Sequence, residues 1–157
     1  MINRKNKKIV MRVLFVGLLT LMVGCNTYDV RALNYDPEMK QVTVIQNPKV
    51  LVADFVNVLE DAFADRGIKV KYGPSNYSAA PGEYTVDYSA RQSWDFTTYL
   101  SDANVNVRKD NALLGRGHYH HIGGSCSYSL FKWQGTKKKM TPLYDELFKN
   151  YDSKARE

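Results

Sequence analysis

All three histidines of the chain lie within four residues, at His118, His120 and His121, and Cys126 follows closely. The residues around them read as a strand, on which positions 118 and 120 share a face about 6–7 Å apart. Two imidazoles at that spacing can take zinc or copper. A stable ion also needs a third ligand and groups behind the ligands to orient them, and no carboxylate pattern in the sequence supplies these. No metal is therefore assigned. His118 and His120 stand as candidate ligands, against the plainer account of an exposed histidine cluster at a strand end. Cys126 beside His121 has the parts of a nucleophile and base. Yet the segment 123–127 (GGSCS) has no clear helix beginning directly after it, as a nucleophile elbow requires, and a free cysteine is more often a small buried hydrophobe. The glycines at 115, 117, 123 and 124 lack the Lys and Ser/Thr of a phosphate loop. No triad or separated carboxylate pair can be placed. The chain is expected to be non-catalytic and without a cofactor.

Trp94, Asp95, Phe96 and Tyr99 form the densest aromatic group. Large aromatics mostly pack in cores, and the favoured reading puts these on a sheet face beneath helices. The competing reading makes Trp94, Phe96 and Tyr99 an exposed hot spot for a protein or glycan.

Cys25 carries a different chemistry. Arg4, Lys5, Lys7, Lys8 and Arg12 precede an apolar run of eleven residues, 13–23, interrupted only by Gly17 and Thr20. That run is too short to cross a bilayer as a stable helix but right for a secretory signal. It ends in Leu21-Met22-Val23-Gly24-Cys25, which resembles the bacterial lipobox, with Met22 where Leu is usual. The resemblance implies cleavage before Cys25, a diacylglycerol thioether on its sulfur and an acylated amine. An ordinary signal cut elsewhere and an uncleaved anchor are the competing readings. Three acyl chains exceed the two signals that stable anchoring needs. Asn26 follows, not Asp, and by the same resemblance the outer membrane is the expected destination.

Cleavage there leaves 133 of the 157 residues, enough for one domain with a core. The formal net charge is +6, but five of those charges precede residue 13, so only about +1 remains on the rest. A basic nucleic-acid binder is thereby excluded as a reading. With Cys25 lipidated, Cys126 has no disulfide partner within the chain.

The elements that must position these residues follow from periodicity. Residues 26–39 are polar and without sustained period, and read as a tether from the lipidated Cys25. Residues 40–46 are β-branched and read as a strand. Asn47-Pro48 resembles a helix cap followed by Pro at the first helical position, and predicts a helix to Arg66 with a buried stripe of Leu51, Phe55, Val58/Leu59 and Ala62/Phe63. Gly67 ends it, and 68–72 returns as a parallel strand. A meander follows: a strand over 83–92, a bulge or bend over 93–96, a strand within 97–109, a turn at Asp110-Asn111 and a strand over 112–121 whose glycines allow close backbone approach. A last helix starts between Thr136 and Pro142, with Thr141-Pro142 the cleaner start, and ends near Asn150. It buries Leu143, Tyr144, Leu147, Phe148 and Tyr151. Lys137–Lys139 reads as a solvated basic run. The whole predicts an α/β two-layer sandwich with a mixed sheet, in the order β-α-β-β-β-β-α, over 40–151, with a frayed tail at 152–157.

The segments Trp94–Leu100 (WDFTTYL) and Lys132–Thr136 (KWQGT) resemble an uncharacterised group of small proteobacterial lipoproteins. In pattern, the β-α-β around DFVNVLEDAFADRGIKV resembles the amino-terminal domain of TolB and the lipoprotein activators of penicillin-binding proteins. These resemblances transfer no catalytic residue. They imply a lipid-anchored, periplasm-facing domain at the outer membrane that binds another envelope component, with the bilayer and an envelope protein as partners. The alternative is a metal- or small-ligand-binding lipoprotein that uses the His118–His121 strand.

Overall fold

The computed structural model describes residues 26–122 and 130–154. The leader, Cys25, the glycine-rich loop with Cys126 and the last three residues lie outside the described residues, and so do the signal, lipidation and cysteine readings that fall on them.

The β-branched segment folds as β2 (Gln41–Ile45), and the crossover returns to β3 (Lys69–Gly73), which pairs with β2 in parallel as expected. Next come β4 (Tyr84–Asp95), β5 (Thr97–Lys109) and β6 (Ala112–His121), an antiparallel meander. Asp110 and Asn111, both at positive φ, form the β5–β6 turn. The expected mixed α/β sandwich is present, with one difference. Residues 26–31, read as part of a tether, are a sixth strand, β1 (Asn26–Arg31), antiparallel to β6 at the edge of the sheet. The full order is β1-β6-β5-β4-β2-β3. An edge strand exposed on most of its length needs no apolar alternation, so nothing in NTYDVR announces it. Its ladder with β6 holds it.

The helix between β2 and β3, α1 (Phe55–Ala64), buries Phe55, Val58, Leu59, Ala62 and Phe63. It starts seven residues later than Pro48. Asn47 makes a turn instead of a cap: its Oδ1 accepts from the Lys49 amide at 3.1 Å and its Nδ2 donates to the Tyr88 carbonyl at 2.9 Å. Leu51, expected in the core stripe, is exposed for that reason, and Val52 is buried instead. Gly67 closes the helix at φ 73°.

A 3-10 turn (Leu130–Trp133) leads into α2 (Thr136–Leu147), and α3 (Lys149–Lys154) follows. The last helical region thus starts at Thr136, and Pro142 sits inside α2 instead of opening it. The Thr136 hydroxyl donates to the Asp54 carboxylate at 2.7 Å, which ties the start of α2 to the start of α1. The tail expected to fray is partly ordered. Asp152 in α3 binds Arg66 at 3.0 Å, with the Arg66 guanidinium lying over the Phe148 ring. Leu143, Tyr144, Leu147, Phe148 and Tyr151 are buried as expected.

Both main helices lie on one face of the sheet. There the inward residues of β4 and β5 (Val86, Tyr88 and Ala90; Ala103, Val105 and Val107) meet α1 and α2. On β6, a Cβ at Gly117 would collide with Leu143, and one at Gly115 would come within 2.7 Å of Leu33. The two glycines do allow the close approach read from the sequence. No helix among the described residues is long and apolar enough to cross a membrane.

Candidate functional site

Two regions of the molecule gather the residues singled out by type and spacing. The first is the tip of the β4–β5 hairpin. These are the two longest strands, and their register shifts by one residue at Arg91/Gln92. The bulge sits just ahead of the break expected over 93–96. The strand itself runs on, and Asp95 still pairs with Thr97, so the chain reverses at Phe96 alone, with φ 58°. An aromatic residue in the left-handed region is uncommon and costs on the order of 1 kcal/mol or more. Trp94 is 75% exposed and Phe96 88% exposed. This corrects the favoured core reading, because the hairpin continues past the helices that would have covered these rings. Tyr99 behaves differently. It is half-buried, with its ring edge-on to His121 at 5.4 Å, and it serves the base of the hairpin, not its tip.

That base holds an unexpected charge. Lys139, read as part of a solvated run, is 1% exposed. Its ammonium donates to the Leu100 carbonyl at 2.9 Å and to the Lys132 carbonyl at 2.6 Å, and lies 5.1 Å from the centre of the Tyr99 ring. Burial lowers its pKa to about 8. Lys132, also buried, pairs with the Asp95 carboxylate, and the Trp133 indole N–H donates to the Asp95 carbonyl at 3.2 Å. The hairpin tip is therefore braced from below by the 3-10 turn and α2. Lys137 and Lys138 do fit the solvated description, and Lys137 pairs with Asp61 at the surface.

Register also fixes where the tip points. Asn26 pairs with His121, His120 with Asp102, and Asp102 with Arg91. The first residue after Cys25 and the hairpin tip thus leave the sheet at the same end. Four or five residues of strand at about 3.3 Å each carry Phe96 roughly 13–17 Å beyond the level of Asn26.

The second region is the helix-free face, the one that no helix among the described residues covers. Its residues form cross-strand rows: Thr27, His120, Asp102 and Arg91, then Asp29, His118, Asn104 and Ser89, then Arg31, Arg116, Asn106 and Asp87. Every member is polar. A shallow concavity of about 610 Å³ lies over it, lined by Asp102, Asn104, Asn106, Arg116 and His118 among others. The His118 and His120 rings lie 6.2 Å apart on one face, as expected. Asp102 Oδ2 stands 3.0 Å from His118 Nε2 and 3.2 Å from His120 Nδ1. Burial alone would raise the Asp102 pKa, but hydrogen bonds from the two imidazoles outweigh it and hold the carboxyl below its usual range. His121 points to the opposite face, where it is buried and its Nδ1 lies 2.9 Å from the Asn26 side-chain oxygen. Burial, with Lys139 and Lys132 nearby, lowers its pKa. Asp102 is the residue that sequence reasoning missed. It lies sixteen residues before His118, and only the β5–β6 register brings the two together. The polar alternation Asp102, Asn104, Asn106 was the available signal.

No family model matches the chain, and no curated protein matches it in sequence. Its fold is similar to solved structures of PelC from Paraburkholderia phytofirmans. A point variant of the PelC dodecamer matches with a TM-score of 0.52 at 10% identity, covering 80% of this chain and 96% of that one. A second structure of the PelC dodecamer, in another crystal form, matches with a TM-score of 0.51 at 10% identity, with the same coverage of both chains. A minor lipoprotein from Acinetobacter baumannii is weakly similar, with a TM-score of 0.27 at 9% identity over 75% of this chain and 91% of that one. At such identities the PelC likeness is one of fold alone, and the last is too distant to carry an argument.

Proposed function

We propose that the chain is a lipoprotein anchored through Cys25 in the outer membrane and facing the periplasm, and that its domain is a non-catalytic binding module for another envelope component. The lipobox-like segment supports the anchoring. The observation that carries the binding role is the braced hairpin tip with Trp94 and Phe96 in solvent. Two large aromatics left in water forgo about 25 cal/mol for each Å² of apolar surface left unburied, which a partner that covers them recovers. Asn26, next to Cys25 in sequence, pairs at the end of the sheet from which the tip projects, and this supports a tip turned toward the anchoring membrane. Its partner is accordingly a protein at that surface, and the lipid raises the effective concentration of one for the other.

A photo-crosslinking residue at position 96 of the full-length chain, activated in intact envelopes, tests this. A single protein adduct that fades in the Cys25→Ser variant is expected. An adduct of twice the chain's mass would identify the partner as a second copy, the similar PelC structures being described as dodecamers. Adducts to lipid alone, or none, would overturn the reading.

A further inference from the structure

We propose that Asp102, His118 and His120 form a binding site for a divalent transition-metal ion of the zinc class on the helix-free face of the sheet. The inference is independent of the binding role of the hairpin tip, which lies on a different part of the molecule.

The ladder, not chance side-chain placement, brings the three ligands together. Asp102 is directly opposite His120 in the β5–β6 register, and His118 is two residues earlier on the same face. One ligand atom from each residue lies within 4.8 Å of the other two. Zinc bonds of 2.0–2.2 Å in a tetrahedral set place ligand atoms about 3.4 Å apart. The two contacts at 3.0 and 3.2 Å therefore need to open only by a few tenths of an ångström.

The chemistry of the set is selective. Two imidazoles and one carboxylate suit zinc, copper or nickel, whereas magnesium and calcium take oxygen ligands throughout. The carboxylate is also oriented from behind. Its other oxygen, Oδ1, faces Asn104 Nδ2 at 3.4 Å and Arg91 Nη2 at 3.6 Å, which leaves Oδ2 for the ion. Arg91 is exposed and able to swing outward, so it adds orientation without blocking entry. His120 is exposed as well. An ion held by three protein ligands on an open face keeps at least one position for water or an exchangeable ligand, which marks the site as a binding centre and not a buried structural staple.

Calorimetric titration of chelator-treated full-length protein in detergent micelles with zinc chloride is the test. One zinc per chain at micromolar concentration is expected, undisturbed by excess magnesium. Asp102→Asn and His118→Gln should each weaken binding about tenfold or more. Because Asp102 is buried, a second readout uses the unaltered chain. Nitrogen resonances of His118 and His120 should shift or broaden on zinc addition, while those of buried His121 stay in place. Absence of heat with unmoved histidine resonances, or undiminished binding in folded Asp102→Asn, would overturn the proposal.

Discussion

The two sides of β5 share one backbone and one register but obey different physics. Toward the helices, Ala103, Val105 and Val107 sit in a packed layer where Gly115 and Gly117 leave no room for a methyl group. Away from the helices, Asp102, Asn104, Asn106 and Arg108 join cross-strand rows of hydrogen-bonding groups, many of them in contact with solvent. The covered side is governed by volume, since a dense interior feels each added or lost carbon. The bare side is governed by donors and acceptors, and keeps many of its groups in contact with solvent. With the helices among the described residues on one face, the sheet separates a packed part that makes the fold stable from a polar part that faces solvent.

The largest effect should come from breaking the covered side. Gly117→Val drives a side chain into Leu143 and should cost about 3 kcal/mol in denaturant unfolding. Arg116→Ala, one residue away and on the bare side, removes only a surface pair with Asp29 and should cost at most about 0.5 kcal/mol. Similar losses for the two would abolish the distinction between the faces.

Lys139 tests the covered side by charge. Its folded pKa of about 8 lies below the ordinary 10.5, so between those values the unfolded chain holds more protons than the folded one, and stability rises with pH. From pH 8 to pH 10 the gain from this group is about 2 kcal/mol. Lys139→Met should lose that rise, measured as the difference between the two stability–pH curves. An unchanged slope would mean that this ammonium is hydrated after all.

On the bare side, Asp102→Ala should cost only about 1 kcal/mol, because the two histidines it leaves are exposed enough to find water. A loss of several kcal/mol would make Asp102 a core residue in energetic terms. The smallest effect belongs to the tip. Trp94→Ala should change stability by less than about 0.5 kcal/mol while reducing capture of a partner in envelopes. A large fall in melting temperature would return Trp94 to the core reading.

Much of the covered side was legible in the chain. The 3.6-residue stripe of α1, the period-two strands of the meander and the hydrophobic face of α2 and α3 each report how a segment meets a core, and those positions are buried, Leu51 excepted. The His118–His120 spacing was legible too, since it depends on one strand alone. The remaining features were not local. Lys139 looks like any member of a lysine run until the Leu100 and Lys132 carbonyls converge on it, and Pro48 looks like a helix start until Asn47 is claimed by Tyr88.

By itself, then, the amino-acid order determined the class of fold, the faces of its main elements and the pairing of two histidines, because periodicity is written into neighbouring residues. Only the tertiary structure decided that Asn26–Arg31 joins the sheet, that Asp102 completes the histidine pair and that Trp94 and Phe96 stand in solvent. Each of these depends on which strand lies opposite and where the helices stop, and that information is distributed over residues far apart in the chain.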